Sequence, residues 1–378
     1  MLSAIGLDYT PAYEQGGGIG RYVRELVAAL AKQDEETDYR LFVAGMSSQV
    51  PPSLGLNFTW KSTRLSPRWL ARIWHRANIP LPVEVFSGKV SLYHATDFVL
   101  PPTLPSTKTL LTVHDLSYVR VPEAASPNLK RYLDRLVPSS AKRADYIVAD
   151  SQATKDDLIE VYRIDGDKIN VLLSGVDSCF EPEKEREVIL TTRSQYNIGL
   201  RPYIFSIGTV QPRKNYGRLI QALAQLRSSG YDLDLVIAGG RGWLEDPIYE
   251  TIHTTKMEDH VHFIGFAREA DLPALYSGAY CCAFPSLYEG FGLPVLESMA
   301  CGTPVVTSNV SSLPEVAGDA AITVNPYDLD AIIDGIKRLL DDSALYHHYV
   351  QKGYERAKLF TWEKSARQLR EIYRMMLA

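Results

Sequence analysis

Several large classes of protein are excluded by what this sequence has little of. It carries four cysteines, Cys179, Cys281, Cys282 and Cys301, with no C-x-x-C pair among them. That pattern supports neither a zinc site nor a disulfide framework, and four buried free thiols in a reducing compartment are expected. No uninterrupted apolar run approaches the ~18 residues that a membrane-spanning helix needs. The opening segment MLSAIGLDYT lacks both the basic flank and the long apolar core of a signal peptide, so a cytoplasmic location is expected. Nor is there a surplus of positive charge. Forty Lys and Arg stand against 45 Asp and Glu, a net charge of -5, which leaves no electrostatic footprint for nucleic acid. Low-complexity tracts and short-period repeats are missing as well.

What is present is ordinary for a folded chain: 46% hydrophobic and 22% charged residues over a length of 378. At ~150 residues per domain, that length predicts two domains. Short apolar runs alternate with longer amphipathic stretches. Strands are expected at 2–8, 39–45, 89–94, 107–113 and 145–150 in the first half. In the second half they are expected at 202–208, 233–239, 261–265, 279–284, 304–307 and 320–324. Runs such as Tyr203–Ile207 are nearly continuous in apolar residues, which fits parallel strands covered on both faces. Between them lie helices, such as Gly20 to Gln33, where Tyr22, Val23, Leu26, Val27 and Leu30 share one face. Ser151 is placed to cap a helix running through Leu158, and Thr361 to cap a final one. This alternation predicts an α/β protein of two Rossmann-like, doubly wound domains facing across a cleft. The expected divisions are 1–180, a charged linker at 181–201, 202–360, and a last helix at 361–378.

In such sheets ligands bind beyond the carboxyl ends of the strands, so the strand-to-helix loops are where chemistry is sought. The first is Gly16-Gly17-Gly18-Ile19-Gly20-Arg21, rich in glycine but without the G-x-G-x-x-G spacing of a dinucleotide site. The second is Gly208-Thr209-Val210-Gln211-Pro212-Arg213-Lys214-Asn215. Arg213 stands where a Walker motif needs glycine, yet two adjacent cations at a helix start favour a diphosphate. The third runs from Pro285 through Glu289, Gly290, Phe291, Gly292, Leu293 and Pro294 to Glu297, two carboxylates in an E-x7-E spacing. Pro294 suits a first helical turn, which places Glu297 near the positive end of the dipole. A carboxylate there can accept two hydrogen bonds from a ribose diol, while Glu289 on the loop binds sugar hydroxyls.

Other candidates are less decisive. His94 ends a strand and either lines an acceptor site or is bonded within its own loop. Asp115 either acts or caps a turn. The D-x-D at Asp232-Leu233-Asp234 precedes a buried strand and is not expected to bind metal. Pro67–Arg76 (PRWLARIWHR) reads equally as a segment lying on an anionic membrane and as a helix packing its tryptophans inward.

The segments GTVQPRKN, HVHFIGF and PSLYEGFGLPVLESMACGTPVV resemble those of the family 4 retaining glycosyltransferases, which have the GT-B fold. The resemblance spans nearly the whole chain and is strongest over 202–325. It implies a C-terminal domain that binds a nucleotide diphosphate sugar, an N-terminal domain that binds the acceptor, and a last helix returning to the latter. Residue by residue, it gives Arg213 and Lys214 to the diphosphate, Glu289 to the hydroxyls of the donor sugar and Glu297 to the ribose. The backbone of Phe291, Gly292 and Leu293 lines the donor site, Gly265 and Phe266 flank the base, and Gly17 and Gly18 close over the phosphates. His114, in TVHDL, matches a family histidine facing the transferring sugar, where it orients the sugar and steadies positive charge at the anomeric carbon. Two departures are Thr209, where many relatives have arginine, and Ser174-Gly175, where many have asparagine-glycine.

The resemblance therefore implies a retaining, metal-independent hexosyltransferase that uses no cofactor and works by front-face displacement. The look of VHDLSY and GTVQPRKN is that of bacterial mannosyltransferase-like members that build surface polysaccharides. GDP-mannose is the first expected donor and UDP-glucose the second, with a glycan or lipid-linked acceptor and peripheral contact at the inner face of the membrane. An epimerase of the same fold and a non-catalytic nucleotide-sugar sensor are the rival readings. Alanine at Glu289 or Lys214 is expected to abolish transfer and leave the fold intact.

Overall fold

A computed structural model describes residues 4–46 and 51–378, so Leu2 and Ser3 of the first expected strand lie outside the described residues. The chain divides into two compact units. One comprises Met1–Leu116, Asn128–Gly175 and Thr361–Ala378; the other comprises Ser117–Pro127 and Val176–Phe360.

Among the described residues, the first unit is built on seven strands: β1 (Ile5–Asp8), β2 (Tyr39–Ala44), β3 (Phe58–Thr63), β4 (Leu92–Ala95), β5 (Lys108–Val113), β6 (Tyr146–Ala149) and β7 (Ile169–Val171). They are ordered β3-β2-β1-β4-β5-β6-β7 and pair in parallel throughout. The second unit has six: β8 (Tyr203–Ile207), β9 (Asp234–Ala238), β10 (Val261–Gly265), β11 (Cys281–Phe284), β12 (Val305–Ser308) and β13 (Ile322–Val324). Their order is β10-β9-β8-β11-β12-β13, again parallel. In each sheet the winding reverses beside the first strand, between β1 and β4 and between β8 and β11. Those are the points at which a doubly wound sheet splays its loops apart and makes room for a ligand.

Two edge strands, β3 and β7, were not expected. Phe58–Thr63 reads FTWKST and has only Phe58 buried, and Ile169–Val171 is three residues long with only Ile169 buried. Neither has the apolar continuity that identified the central strands.

The helix Gly18–Ala31 buries Tyr22, Val23, Leu26, Val27 and Leu30, the face expected of it. Ser151 and Thr361 cap their helices by accepting from Thr154 N and Lys364 N. The final helix, Trp362–Leu377, belongs to the first unit and packs on Gly18–Ala31. Trp362 lies edge-on to Tyr22 with ring centroids 5.9 Å apart, and Arg370 Nε reaches Asp34 Oδ2 at 3.0 Å.

The linker expected at 181–201 is not a linker. It carries the helix Arg186–Gln195, which packs on the helix Leu272–Ser277 within the second unit. Residues 117–127, inside the expected first domain, also belong to the second unit, where Val121 and Ala124 pack with Tyr288. Cys281, Cys282 and Cys301 are buried free thiols, but Cys179 is exposed, contrary to expectation.

Candidate active site

A cluster of buried charge lies at the switch point of the second unit. Gly208 follows the last residue of strand β8, and its φ of +142° is open to glycine. A Cβ there would sit 2.7 Å from Lys214 Cε, and a Cβ at Gly239 would meet the Gly208 carbonyl oxygen at 2.0 Å. The two strand ends therefore touch backbone to backbone, and the aliphatic stem of Lys214 fills the space above Gly208. After a 3-10 turn at Pro212–Lys214, Asn215 takes a left-handed conformation before the helix Tyr216–Ser228. Its amide donates to Pro285 O at 3.0 Å and Pro326 O at 2.7 Å, stapling the loop after β8 to the loops after β11 and β13.

This staple brings the first cations to the first carboxylate. Arg213 Nη1 donates to Glu289 Oε2 and to Tyr288 O, each at 2.7 Å, and Lys214 Nζ donates to Glu289 Oε1 at 2.7 Å. The Lys214 ammonium also stands 4.6 Å from the centre of the Phe284 ring. Burial pushes the Glu289 carboxyl up, but the Arg213 and Lys214 cations override it and hold the pKa at about 2. Glu289 is thus ionised at any physiological pH and can only accept hydrogen bonds; each oxygen keeps capacity for a second donor beyond its cation. The trio carries one net positive charge in a largely dry site, where charge acts strongly.

The Glu289 loop is held from the far side by residues that the sequence did not single out. Glu289 N donates to Ser311 Oγ at 2.9 Å, and the single hydroxyl hydrogen of Ser312 is shared between Glu289 O and Phe291 O, 2.9 and 2.7 Å from Oγ. The only sequence signal for them is a pair of serines in the loop after an apolar strand, too common a pattern to single out. The loop Gly239-Gly240-Arg241-Gly242 after β9 was also missed. Gly239 N donates to Gly265 O at 2.7 Å, and Gly240 neighbours the ring of Phe266, which is 69% exposed.

Gly292 caps the helix Leu293–Ala300 with φ of +114°, and Phe291 is buried 6.0 Å from the Phe360 ring. Glu297 is one turn further in than expected: the helix has no acidic residue in its first turn, and Glu297 is its fifth residue. The cause is that Leu293, not a residue nearer Glu297, opens the helix. Glu297 is buried and accepts from Tyr276 OH at 2.7 Å.

The D-x-D residues are engaged elsewhere. Asp234 accepts from His260 at 3.0 Å and His262 at 3.3 Å and lies within 4 Å of Arg201 and Arg227, while Asp232 pairs with the same two arginines. They tie β9 and β10 at the amino ends of the strands, opposite the charged loops.

In the first unit, Gly17 is the N-cap of the helix Gly18–Ala31 and Gly18 its first residue, both with open space at the α-carbon. His94 is wholly buried in β4, with Nδ1 2.7 Å from Tyr373 OH and Nε2 2.8 Å from Thr112 Oγ1. Burial, and then the charge of His114, push its pKa down to about 3. His94 ties β4 to β5 and the final helix, with both ring nitrogens engaged inside the first unit, which favours the structural of its two sequence readings. His114 follows β5 and is buried too. Its Nδ1 meets Asp150 Oδ2 at 2.8 Å and its Nε2 meets Thr96 O at 2.9 Å. Burial opposes the charged ring, but Asp150 outweighs it with help from Asp97 and Thr96 O, and the pKa rises to about 9.

Two parallel, doubly wound α/β units, the second with cationic side chains in the loop at its switch point, define the GT-B class of glycosyltransferases. Solved structures share this fold over the whole length. Sucrose-phosphate synthase from Thermosynechococcus elongatus superposes with a TM-score of 0.77 at 22% identity, covering 99% of each chain. HepE from Anabaena, in complex with UDP-glucose, gives 0.72 at 18% identity over 99% of this chain and 100% of its own. Residues 16–179 match the family described as Glycosyltransferase Family 4, and 189–356 match Glycosyl transferases group 1. The O-antigen chain mannosyltransferase B of Escherichia coli is 32% identical over 95% of this chain and 96% of its own length. The O-antigen chain mannosyltransferase RfbU of Salmonella typhimurium is 29% identical over 78% of each. The chain belongs to family 4 of the retaining glycosyltransferases.

Proposed function

We propose that the second unit binds a nucleotide diphosphate hexose, GDP-mannose first, and that the enzyme passes the hexose to a glycan or lipid-linked hydroxyl in surface polysaccharide synthesis. The observation that carries this is the buried Arg213–Lys214–Glu289 trio at the switch point of β8 and β11. The names of the relatives support a mannosyl donor.

In this reading Arg213 and Lys214 face the diphosphate, the second lone pairs of Glu289 accept sugar hydroxyls, and Glu297 accepts the ribose diol. The exposed ring of Phe266, with Gly265, flanks the base. As the bond from the anomeric carbon to phosphate breaks, its electron pair stays on the phosphate oxygen, and the two cations stabilise that charge where it grows. The acceptor oxygen bonds to the same face of the anomeric carbon, and its proton passes to the leaving phosphate. Ordinary catalysis here needs no cofactor and no metal. Thermal melting against GDP, UDP, GDP-mannose and UDP-glucose tests the donor. A ligand at 100 times its Kd stabilises by ~2.7 kcal/mol, so a clear rise in Tm with the guanine pair is expected. A rise with the uridine pair alone overturns the mannosyl donor.

Among the described residues no helix is long and apolar enough to cross a membrane. For Pro67–Arg76 both sequence readings find a tryptophan. Trp74 turns inward, donating to Leu81 O at 2.8 Å, whereas Trp69 is 55% exposed with Arg72 stacked 4.7 Å over its ring. We propose that Trp69 with Arg68, Arg72 and Arg76 makes peripheral contact with an anionic bilayer. Flotation with phosphatidylglycerol vesicles is expected, and loss of flotation in Trp69→Ala with Arg72→Ala; wild type that stays at the bottom overturns it.

A further inference from the structure

His114 and Asp150 look, at first, like the dyad of a general base: a buried carboxylate behind an imidazole. The other ring nitrogen contradicts that. Thr96 O is a carbonyl and can only accept, so Nε2 carries a hydrogen. Asp150 Oδ2 stands 2.8 Å from Nδ1, and its second oxygen, Oδ1, is buried without a hydrogen-bond partner. The hydrogen bonding of the Asp150 carboxylate is therefore directed to His114, and an ionised carboxylate there also only accepts. With an acceptor on both sides, the ring holds two protons.

We infer that Asp150 is a positioning residue that keeps His114 doubly protonated, so that the histidine serves transfer as a fixed cation and Nε2–H donor and never as the base that takes the acceptor's proton. The backbone is built to hold this geometry. Thr154 Oγ1 donates to His114 O at 3.2 Å, and Thr154 N is bonded to the capping Ser151 Oγ, next to Asp150. The ring is wedged between Tyr22 and Phe98, with centroids 5.1 and 5.4 Å away and both edge-on, so it cannot turn to change partners. Nδ1–H is fixed on Asp150; Nε2–H, now on Thr96 O, is the proton a substrate oxygen can claim.

Among the described residues of the first unit, the charged groups found beside the ring favour this state or are neutral. Asp150 comes from the end of β6, Asp97 from the loop after β4, and Asp115 is the next residue along. His94, on β4, is uncharged at neutral pH, and burial holds the Tyr22 hydroxyl protonated. Burial keeps the Asp150 carboxyl above its ordinary range even against the pull of His114, while the ring is raised to about 9.

The inference rests on the transferase reading for its consequence but not for its test. In the full chain labelled with ¹⁵N-histidine, both ring nitrogens of His114 are expected at imidazolium shifts at pH 7, titrating only near pH 9. The signal is assigned by its loss in His114→Gln. Asp150→Asn is expected to lower that titration by at least one pH unit. It should move the alkaline limb of kcat for nucleotide release from GDP-mannose down by the same amount, with Asp150→Glu restoring it in part. A neutral His114 in wild type at pH 7 overturns the inference whether or not the variant folds, and so does a titration that Asp150→Asn leaves in place. Absence of turnover alongside a normal His114 titration would instead count against the donor assignment.

Discussion

Glu289 accepts a hydrogen bond from Lys214 over 2.7 Å, with the two side chains 9% and 10% exposed. Together with Arg213 this makes the carboxylate part of the framework of the site as well as of its chemistry. The expectation that alanine at Glu289 leaves the fold intact therefore changes. Removing one partner of a buried pair strands the other, at a cost of about 3–5 kcal/mol. Glu289→Ala is predicted to lower stability by that order in urea unfolding. Glu289→Gln, which keeps two acceptor lone pairs and the shape, should lose less stability yet bind donor no better.

The same carboxylate predicts a pH dependence. Its folded pKa of about 2 lies below the ordinary 4.5, so its contribution is whole above pH 4.5 and is lost as pH falls towards 2. The gap in Tm between wild type and Glu289→Gln should be constant from pH 5 to 7 and shrink below 4.5. His114 has the opposite sign. Its pKa is raised from 6.5 to about 9, so its contribution is whole below pH 6.5 and disappears as pH climbs through 9. The gap between wild type and His114→Gln should close over that alkaline range.

Gly208→Ala is predicted to damage the site without touching a charged group. The added methyl meets Lys214 Cε at 2.7 Å, at a φ of +142° that disfavours any side chain. Donor affinity should fall together with stability, because the lysine stem is displaced from its place beside Glu289. A variant with wild-type affinity would show that the position of Lys214 is unimportant.

His94 is assigned to structure, which Tyr373→Phe tests. Without the hydroxyl, His94 Nδ1 loses its 2.7 Å partner inside the core, at a cost of ~1–3 kcal/mol. A drop in Tm with unchanged KM for the acceptor is expected.

The sequence made the second unit readable because its central strands are buried on both faces, and continuous apolar runs such as Tyr203–Ile207 mark their loops. The charged residues Arg213, Lys214 and Glu289 stood in those loops, so their place at one end of the sheet was legible, but the direct pairing of Glu289 with both cations was not. What could not be read depends on long-range contact. Phe58–Thr63 and Ile169–Val171 are edge strands with one buried residue each, indistinguishable from loop in a linear pattern. Ser311 and Ser312 matter only because the fold lays their loop against Glu289. Asp150 became visible only once β5 and β6 were side by side, and His94 gave no sign that its partner lay 279 positions further along the chain.

The most direct test of the account is calorimetric titration of GDP-mannose into wild type and into Lys214→Met, both shown to melt cooperatively. Loss of one partner from a buried charge contact costs 2–5 kcal/mol, so a Kd weaker by ~30-fold or more is predicted for the variant. Equal affinities in the two proteins would place the diphosphate away from Lys214 and contradict the assignment of the Arg213–Lys214–Glu289 trio as the donor site.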